Sequence, residues 1–227
     1  MEVSETHHRV VFPKYIDLFR NYDKLSDIFV CGGYLRDYIL SGKFGKDIDV
    51  FIPCTPLEFQ DLLIYLSSFG RIEYGQYGSP RFYPNECKNS YIDIVPFYNF
   101  IVADNEITDI NSLLDNFDFS ANAIAYNLKN NTLIDTHNGL KDINNRVLRA
   151  LRTDFPEKYL PEPINLSTNT VFWFRLLNYQ NALKFVFEEN TKKWILDNAW
   201  RYRDIEIFKQ YFFEPCVSDE MKMQLGI

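Results

Sequence analysis

Two aspartates set two residues apart, in the run Asp47-Ile48-Asp49-Val50-Phe51-Ile52, are the first candidates for chemistry. The run alternates, so on a strand Asp47, Asp49 and Phe51 face one way and Ile48, Val50 and Ile52 the other. Carboxylates on one strand face can share one or two divalent cations, and magnesium favours such oxygen ligands, with water and phosphate filling the remaining positions. That arrangement suits phosphoryl or nucleotidyl transfer, in which metal clamps the attacking and leaving oxygens. A third acid on a neighbouring strand would complete the clamp. Asp93 is the candidate, because Tyr91-Ile92-Asp93-Ile94-Val95 also alternates and turns Asp93 away from Ile92 and Ile94. Two like charges at roughly 4 Å cost about 4 kcal/mol at an effective dielectric near 20. A cation is the natural compensation, and Mg2+ or Mn2+ is the expected cofactor. The spacing alone is a weak signal, since many strand-end acids share it without binding metal.

A second candidate lies upstream. The apolar run Ile28-Phe29-Val30-Cys31 stops at Gly32-Gly33, and Tyr34 to Leu40 then reads as a helix ended by Ser41-Gly42. Glycine between a strand and a helix has two readings. It makes a tight turn, or it lets backbone amides approach a phosphate at a helix N-terminus. Arg36 follows one turn into the helix, placed either to reach a triphosphate or to pair with an acid.

The rest of the chain must position these residues. Pro13 to Tyr22 has the spacing of an amphipathic helix. Thr55-Pro56-Leu57-Glu58 starts a helix with a Thr cap, Pro at the first position and Glu closing a capping box, and that helix runs to about Ser68. Arg71 to Val95 reads as short strands broken at Gly75, Gly78-Ser79-Pro80 and Pro84-Asn85, with Tyr91 to Val95 the clearest. Ala121 to Asn127 and Thr132 to Asp135 flank a hairpin turn at Lys129-Asn130-Asn131. Beyond Arg152 the strand signals vanish. A stretch with Pro156, Pro161 and Pro163 leads to helical patterns over Val171 to Phe187, Lys192 to Trp200 and Asp204 to Phe213. The predicted fold class is α+β, with a head over 1–152 and a small helical part over 153–227.

Composition narrows the setting. The chain has 227 residues, 46% hydrophobic and 17% aromatic, enough for one large domain or a domain with a helical appendage. No apolar stretch nears the roughly 18 residues of a membrane span, and Met1 to Arg9 hold no secretory-type apolar run. Cys31, Cys54, Cys87 and Cys216 form no CxxC pair, which points to a reducing cytoplasm rather than a disulfide framework or zinc cluster. The net charge of −7 argues against a protein held to nucleic acid chiefly by a broad basic surface. Lys141, Arg146, Arg149 and Arg152 form either a local basic patch or a solvated helix face.

Cys31-Gly32-Gly33-Tyr34-Leu35-Arg36-Asp37, followed by Lys46-Asp47-Ile48-Asp49-Val50, resembles the head domain of class II CCA-adding enzymes and bacterial poly(A) polymerases. Asp118 to Asn127 is similar to the family's RRDFTINA segment. Asp135 with Gly139-Leu140-Lys141-Asp142 and Arg146-Val147-Leu148-Arg149 resembles its D-x-x-x-G-x-x-D-L and R-x-L-R stretch. The resemblance runs over roughly Phe29 to Arg149. It implies a polymerase β-like nucleotidyltransferase head with a mixed sheet, and Asp47 and Asp49 as metal ligands. It also implies that Gly32-Gly33 and Arg36 hold the triphosphate, that Asp118 contacts the nucleotide sugar, and that Asn122 supports or touches the nucleotide. The implied reaction moves a nucleoside monophosphate from an NTP such as ATP onto a hydroxyl, with an RNA 3′ end, tRNA among them, the first acceptor. Transfer onto a small molecule or protein is the alternative reading, and a silent RNA- or protein-binding module a third.

Three departures qualify the resemblance. Asn116-Phe117 stands where the family has paired arginines. Around Asn169-Thr170-Val171-Phe172 and Arg175, the E-D-x-x-R base reader lacks its acid and its first arginine. After Arg152 the sequence holds room for about one small helical unit.

Overall fold

The computed structural model describes residues 10–43, 47–75, 78–87, 90–100, 106–154, 157–160 and 162–227. The polar start Met1 to Arg9, Lys46 of the aspartate motif, and Pro156 and Pro161 of the proline stretch lie outside the described residues. The chain forms two compact units, one of residues 1–117 and 122–140, the other of 118–121 and 141–227. Packing thus groups 118–121 and 141–152 with the C-terminal helices, whereas the division at 152/153 read from the sequence follows the prolines.

The first unit is built on a seven-stranded mixed sheet. A 3-10 turn at Lys14–Ile16 leads into α1 (Asp17–Arg20), then β1 (Phe29–Cys31), α2 (Gly33–Ser41) and β2 (Asp47–Ile52). Next come α3 (Pro56–Ser67), β3 (Gly70–Tyr74), β4 (Pro80–Pro84) and β5 (Tyr91–Pro96). After α4 (Ile110–Leu114), a short helix the sequence reading did not foresee, β6 (Ala125–Asn127) and β7 (Thr132–Ile134) make the expected hairpin. The strand order is β3-β4-β5-β2-β1-β6-β7, antiparallel except for the central parallel pair β2 and β5.

Alternation decides which sheet face is closed. Ile48, Val50, Ile92 and Ile94 are at most 1% exposed, joined by Phe82 on β4 and by Leu62 and Leu66 of α3. Burying a side chain of this size is worth roughly 1.5–3 kcal/mol, so a one-residue slip of β2 or β5 would expose a whole apolar set. Register on these strands is therefore strongly specified, and with it the facing of Asp47, Asp49 and Asp93. Helix α3 begins with the predicted capping box. Thr55 Oγ1 accepts the Glu58 N–H at 3.3 Å, and Glu58 Oε2 accepts the Thr55 N–H at 2.8 Å.

Helix α5 (Gly139–Asn145) starts where both backbone amides of Gly139 and Leu140 bond the Asp135 carboxylate, at 2.7 and 2.9 Å. The Asp135-to-Gly139 spacing is therefore a helix cap. The second unit holds β8 (Val147–Leu148), α6 (Thr168–Leu183), β9 (Val186–Phe187), α7 (Glu189–Asp197), α8 (Ile205–Tyr211) and α9 (Asp219–Leu225). Its core is aromatic: Trp173 and Phe174 of α6 are fully buried, and the Phe174 ring stacks on Phe208 at 4.6 Å.

Two expectations need correction here. Strand structure does not end at Arg152, because Val186-Phe187 forms β9, parallel to β8. The helix expected over Val171 to Phe187 instead starts at Thr168 and stops at Leu183, where Lys184 takes a left-handed conformation with φ of 56°. That residue turns the chain, and the apolar Val186 and Phe187 continue as a ladder instead of a helix face. Helix α9 was not foreseen. No described helix is long and apolar enough to cross a membrane.

Candidate active site

The glycine turn and the aspartate strand converge because β1 and β2 are antiparallel neighbours with Cys31 opposite Asp49. Gly32 follows Cys31 and caps α2 with φ 81° and ψ −144°, a conformation almost confined to glycine. A Cβ added to Gly32 would lie 3.5 Å from Asp49 Oδ2. The N-terminus of α2 therefore opens directly beside a carboxylate of β2. Burial, with the nearby Asp49 charge adding to it, pushes the Cys31 thiol well up.

In β2, Asp47 is exposed and Asp49 half-buried, while Ile48 between them is 1% exposed. The carboxylates thus share the face opposite the closed one, as their spacing predicts. The parallel register sets Asp47 against Tyr91 and Asp49 against Asp93, bringing the third acid to the same face. The Tyr91 hydroxyl interacts with Asp47, and Tyr91 titrates above its ordinary value, chiefly through burial and then the Asp47 charge.

Asp93 has a cation partner of its own. Arg81 stands opposite it on β4, and Arg81 Nε donates to Asp93 Oδ1 at 2.9 Å. Burial pushes the Asp93 carboxyl up, Arg81 draws it back, and the Asp47 charge adds to the rise, leaving it above its ordinary value. Among the described residues no three His, Cys, Asp or Glu side chains are gathered tightly enough to hold an ion. Asp47 and Asp49 fit a divalent cation by donor type and facing. Asp93 has the position but is drawn toward Arg81.

Arg36 is 5% exposed. Its Nη1 donates to Asn122 Oδ1 at 2.5 Å and its Nε to Asp37 Oδ1 at 2.8 Å. Its guanidinium also packs against Gly33, where an added Cβ would meet Nη2 at 3.3 Å. Of the two readings for Arg36, pairing with an acid is the one this geometry realises. Asn122, 4% exposed, anchors the guanidinium from 86 residues away. The two form a buried brace behind the glycine turn.

In the second unit, Asp118 accepts from Arg175 Nε at 3.0 Å and Nη2 at 2.7 Å through one oxygen, Oδ2. Its Oδ1 accepts the Phe119 N–H at 3.0 Å. Arg175 also lies over the Tyr179 ring. The D-L and R-x-L-R positions pair with each other. Asp142 Oδ2 takes Arg149 Nε at 2.9 Å and the Ser120 hydroxyl at 2.5 Å. With Arg152 bonded to Asp154, two members of the basic run, Arg149 and Arg152, are taken up in ion pairs, while Lys141 and Arg146 are exposed.

At the arginine departure, Asn116 is 7% exposed and its Nδ2 donates to the Ser112 carbonyl. The Phe117 ring packs on Phe51 and Phe100. Sequence reasoning missed Arg81, Tyr91 as a partner of Asp47, and the Arg36–Asn122 brace. The first two follow from strand register, which no local pattern prints.

This is the fold of a polymerase β-like nucleotidyltransferase head, with helical elements in the second unit. Residues 88–149 match the family described as "Poly A polymerase head domain". A CCA-adding enzyme of Staphylococcus epidermidis is 28% identical over 170 residues, covering 72% of this chain and 38% of the relative. A CCA-adding enzyme solved with CTP superposes with a TM-score of 0.67 at 24% identity, over 95% of this chain and 52% of the other. A Thermotoga maritima CCA-adding enzyme complexed with tRNA gives 0.65 at 23% identity, over 95% and 52%. The chain thus spans about half the length of these solved relatives.

Proposed function

We propose that this protein is a metal-dependent nucleotidyltransferase that moves a nucleoside monophosphate from an NTP onto a hydroxyl acceptor, with an RNA 3′ end, tRNA included, the first choice. The observation that carries the reading is the glycine turn at the start of α2 lying against Asp49, where a Gly32 Cβ would be 3.5 Å from Oδ2. Triphosphate anchoring and metal ligation would otherwise have to be brought together from separate places. The match over 88–149 and the CCA-adding relatives support the same chemistry.

Asp47 and Asp49 would hold Mg2+ or Mn2+, with Asp93 the candidate third ligand. A bound ion would polarise the reacting phosphate and offset the charge developing on it. The backbone amides after Gly32-Gly33 would bind triphosphate oxygens at a helix N-terminus. Arg36 and Asn122 would hold that turn in shape, and through it position the triphosphate, rather than touch the reacting atoms. The acceptor hydroxyl would give up its proton to water as its oxygen bonds to the α-phosphorus and the bond to pyrophosphate breaks, and pyrophosphate would leave with its electron pair. Asp118 would be reserved for the nucleotide sugar, held in orientation by Arg175. In this reading the nucleotidyltransferase head is 1–152 and the helical part 153–227. The four free cysteines suit a reducing cytoplasm.

The net charge of −7 favours, as the second reading, an acceptor smaller than a folded RNA. The test supplies each labelled NTP with Mg2+ or Mn2+ and total RNA, and follows the label. Label on RNA 3′ ends is expected, and the Asp47→Ala/Asp49→Ala protein should lose it while melting as the native protein does. Unchanged transfer by that double variant would sink the mechanism.

A further inference from the structure

The acid cluster carries a built-in cation. Arg81 and Asp93 face each other across the β4–β5 ladder, and their ion pair is 2.9 Å long, with side chains 35% and 20% exposed. Arg81 is held on two further sides. Its guanidinium carbon lies 4.7 Å from the Tyr91 ring centroid. Gly75, just past β3, leaves it room, because a Cβ there would lie 3.1 Å from Arg81 Nε. A side chain fixed by an aromatic face, a strand partner and a missing Cβ has little freedom to swing away. Asp93, in turn, sits in register with Asp49 on the face that carries Asp47. The acid best placed to complete a metal site is therefore held by a guanidinium.

We propose that Arg81 is a positioning residue that holds Asp93 in reserve, so that a divalent cation must draw Asp93 off Arg81 to gain its third carboxylate. The inference rests on Asp47 and Asp49 being the metal pair. Arg81 then weakens the resting site for metal. Ion uptake then depends on a triphosphate bringing its own charge and oxygen ligands. No bond to phosphorus is made or broken by Arg81. Its effect lies in the competition between one guanidinium and one metal ion for the same oxygen.

The sign of the effect is specific. Replacing Arg81 by a neutral side chain frees Asp93 and tightens metal binding to the nucleotide-free protein, and this requires Asp93. General electrostatics alone would also tighten binding on removal of a nearby positive charge, but would do so whether or not residue 93 is an acid. A cycle of single and double variants separates the two.

The experiment titrates the 227-residue chain with Mn2+, reading free ion by electron paramagnetic resonance, for native protein, R81Q, D93N, R81Q/D93N and D47A/D49A. Thermal melts check that each variant is folded. R81Q is expected to bind Mn2+ about tenfold more tightly than native, and R81Q/D93N to lose most of that gain relative to D93N. Asp47→Ala/Asp49→Ala should bind no Mn2+ at this site. If R81Q binds no more tightly than native while D47A/D49A abolishes binding, the Arg81 proposal is overturned and the metal pair stands. If R81Q/D93N keeps the full gain, Arg81 acts only through its charge and the reserve role of Asp93 is overturned. Binding that survives D47A/D49A overturns the metal-pair reading, and the Arg81 proposal with it.

Discussion

Gly32→Ala isolates the feature on which the site depends. The residue sits at φ 81° and ψ −144°, where an L side chain costs about 1–3 kcal/mol. Space is not the obstacle, because the new methyl would meet Asp49 Oδ2 at 3.5 Å and Phe117 Cε1 at 3.6 Å, both ordinary contacts. The cost is therefore backbone strain, and the turn relieves it by shifting, which moves the amides at the start of α2. Gly42 supplies the control. It ends the same helix at φ 66° and ψ 6°, with nothing within 4 Å of an added Cβ. Gly42→Ala pays only the ordinary left-handed penalty of roughly 1 kcal/mol. In a chain of this size 1 kcal/mol moves the melting temperature by about 2–4 °C. At about 2 kcal/mol, Gly32→Ala should melt roughly 4–8 °C below native, and Gly42→Ala about half as far below. Binding of a fluorescent NTP should fall at least tenfold in Gly32→Ala and hardly change in Gly42→Ala. If both variants melt alike and bind NTP like the native protein, the turn is only a turn and the phosphate argument fails.

Two further substitutions test the second unit. Arg175→Met removes both hydrogen bonds to Asp118 Oδ2. Because the Arg175 side chain is a third exposed, the expected loss is about 2 kcal/mol, below the usual figure for a broken buried pair. Urea denaturation measures it, and adding Asp118→Asn should restore part of it by removing the stranded charge. Glu157 tests pH. Burial raises its carboxyl, but hydrogen bonds from Arg201, Ser167 and Asn169 outweigh that and hold it below the ordinary value. A depressed carboxyl contributes stability above its unfolded value and loses it as pH falls through its folded value. Native protein should therefore exceed Glu157→Gln in melting temperature at neutral pH, and the gap should close below the ordinary glutamate value. A gap constant down to pH 3 would reject the ion pair as its cause.

What the sequence revealed and what it hid divide along a physical line. Alternation in Asp47 to Ile52 and Tyr91 to Val95 is local, and burial of the intervening aliphatics made it decisive. The capping box at Thr55 and Glu58 is likewise a bond between near neighbours. Facing, however, is not pairing. That β2 and β5 run parallel with Asp49 opposite Asp93, or that β4 brings Arg81 to the same place, depends on sheet order. Arg36 shows the same limit. Asp37 beside it was visible and Asn122 was named as a support, but their meeting across 86 residues was not, and without that contact a buried guanidinium could not be told from a phosphate ligand. The β8–β9 ladder went unseen because two-residue strands carry no period to detect.

The departures from the family pattern have a consequence for base choice. Strong rejection of a wrong base comes from buried polar groups that the wrong partner leaves unpaired. Where the resemblance would supply paired arginines, Asn116 is turned to the Ser112 carbonyl and Phe117 is packed among Phe51 and Phe100. Neither presents a guanidinium. The base reader's remaining arginine, Arg175, spends two hydrogen bonds on Asp118, and its segment lacks the acid. Hydrogen-bonding capacity for telling a cytosine edge from an adenine edge is thus reduced at both places. Offered tRNA ending before CCA with CTP and ATP together, the protein is expected to add nucleotides without strict order. Sequencing the products shows the order directly. Efficient addition of C, C and then A would mean that selectivity resides in residues other than these, and would overturn the link drawn from the two departures to base choice.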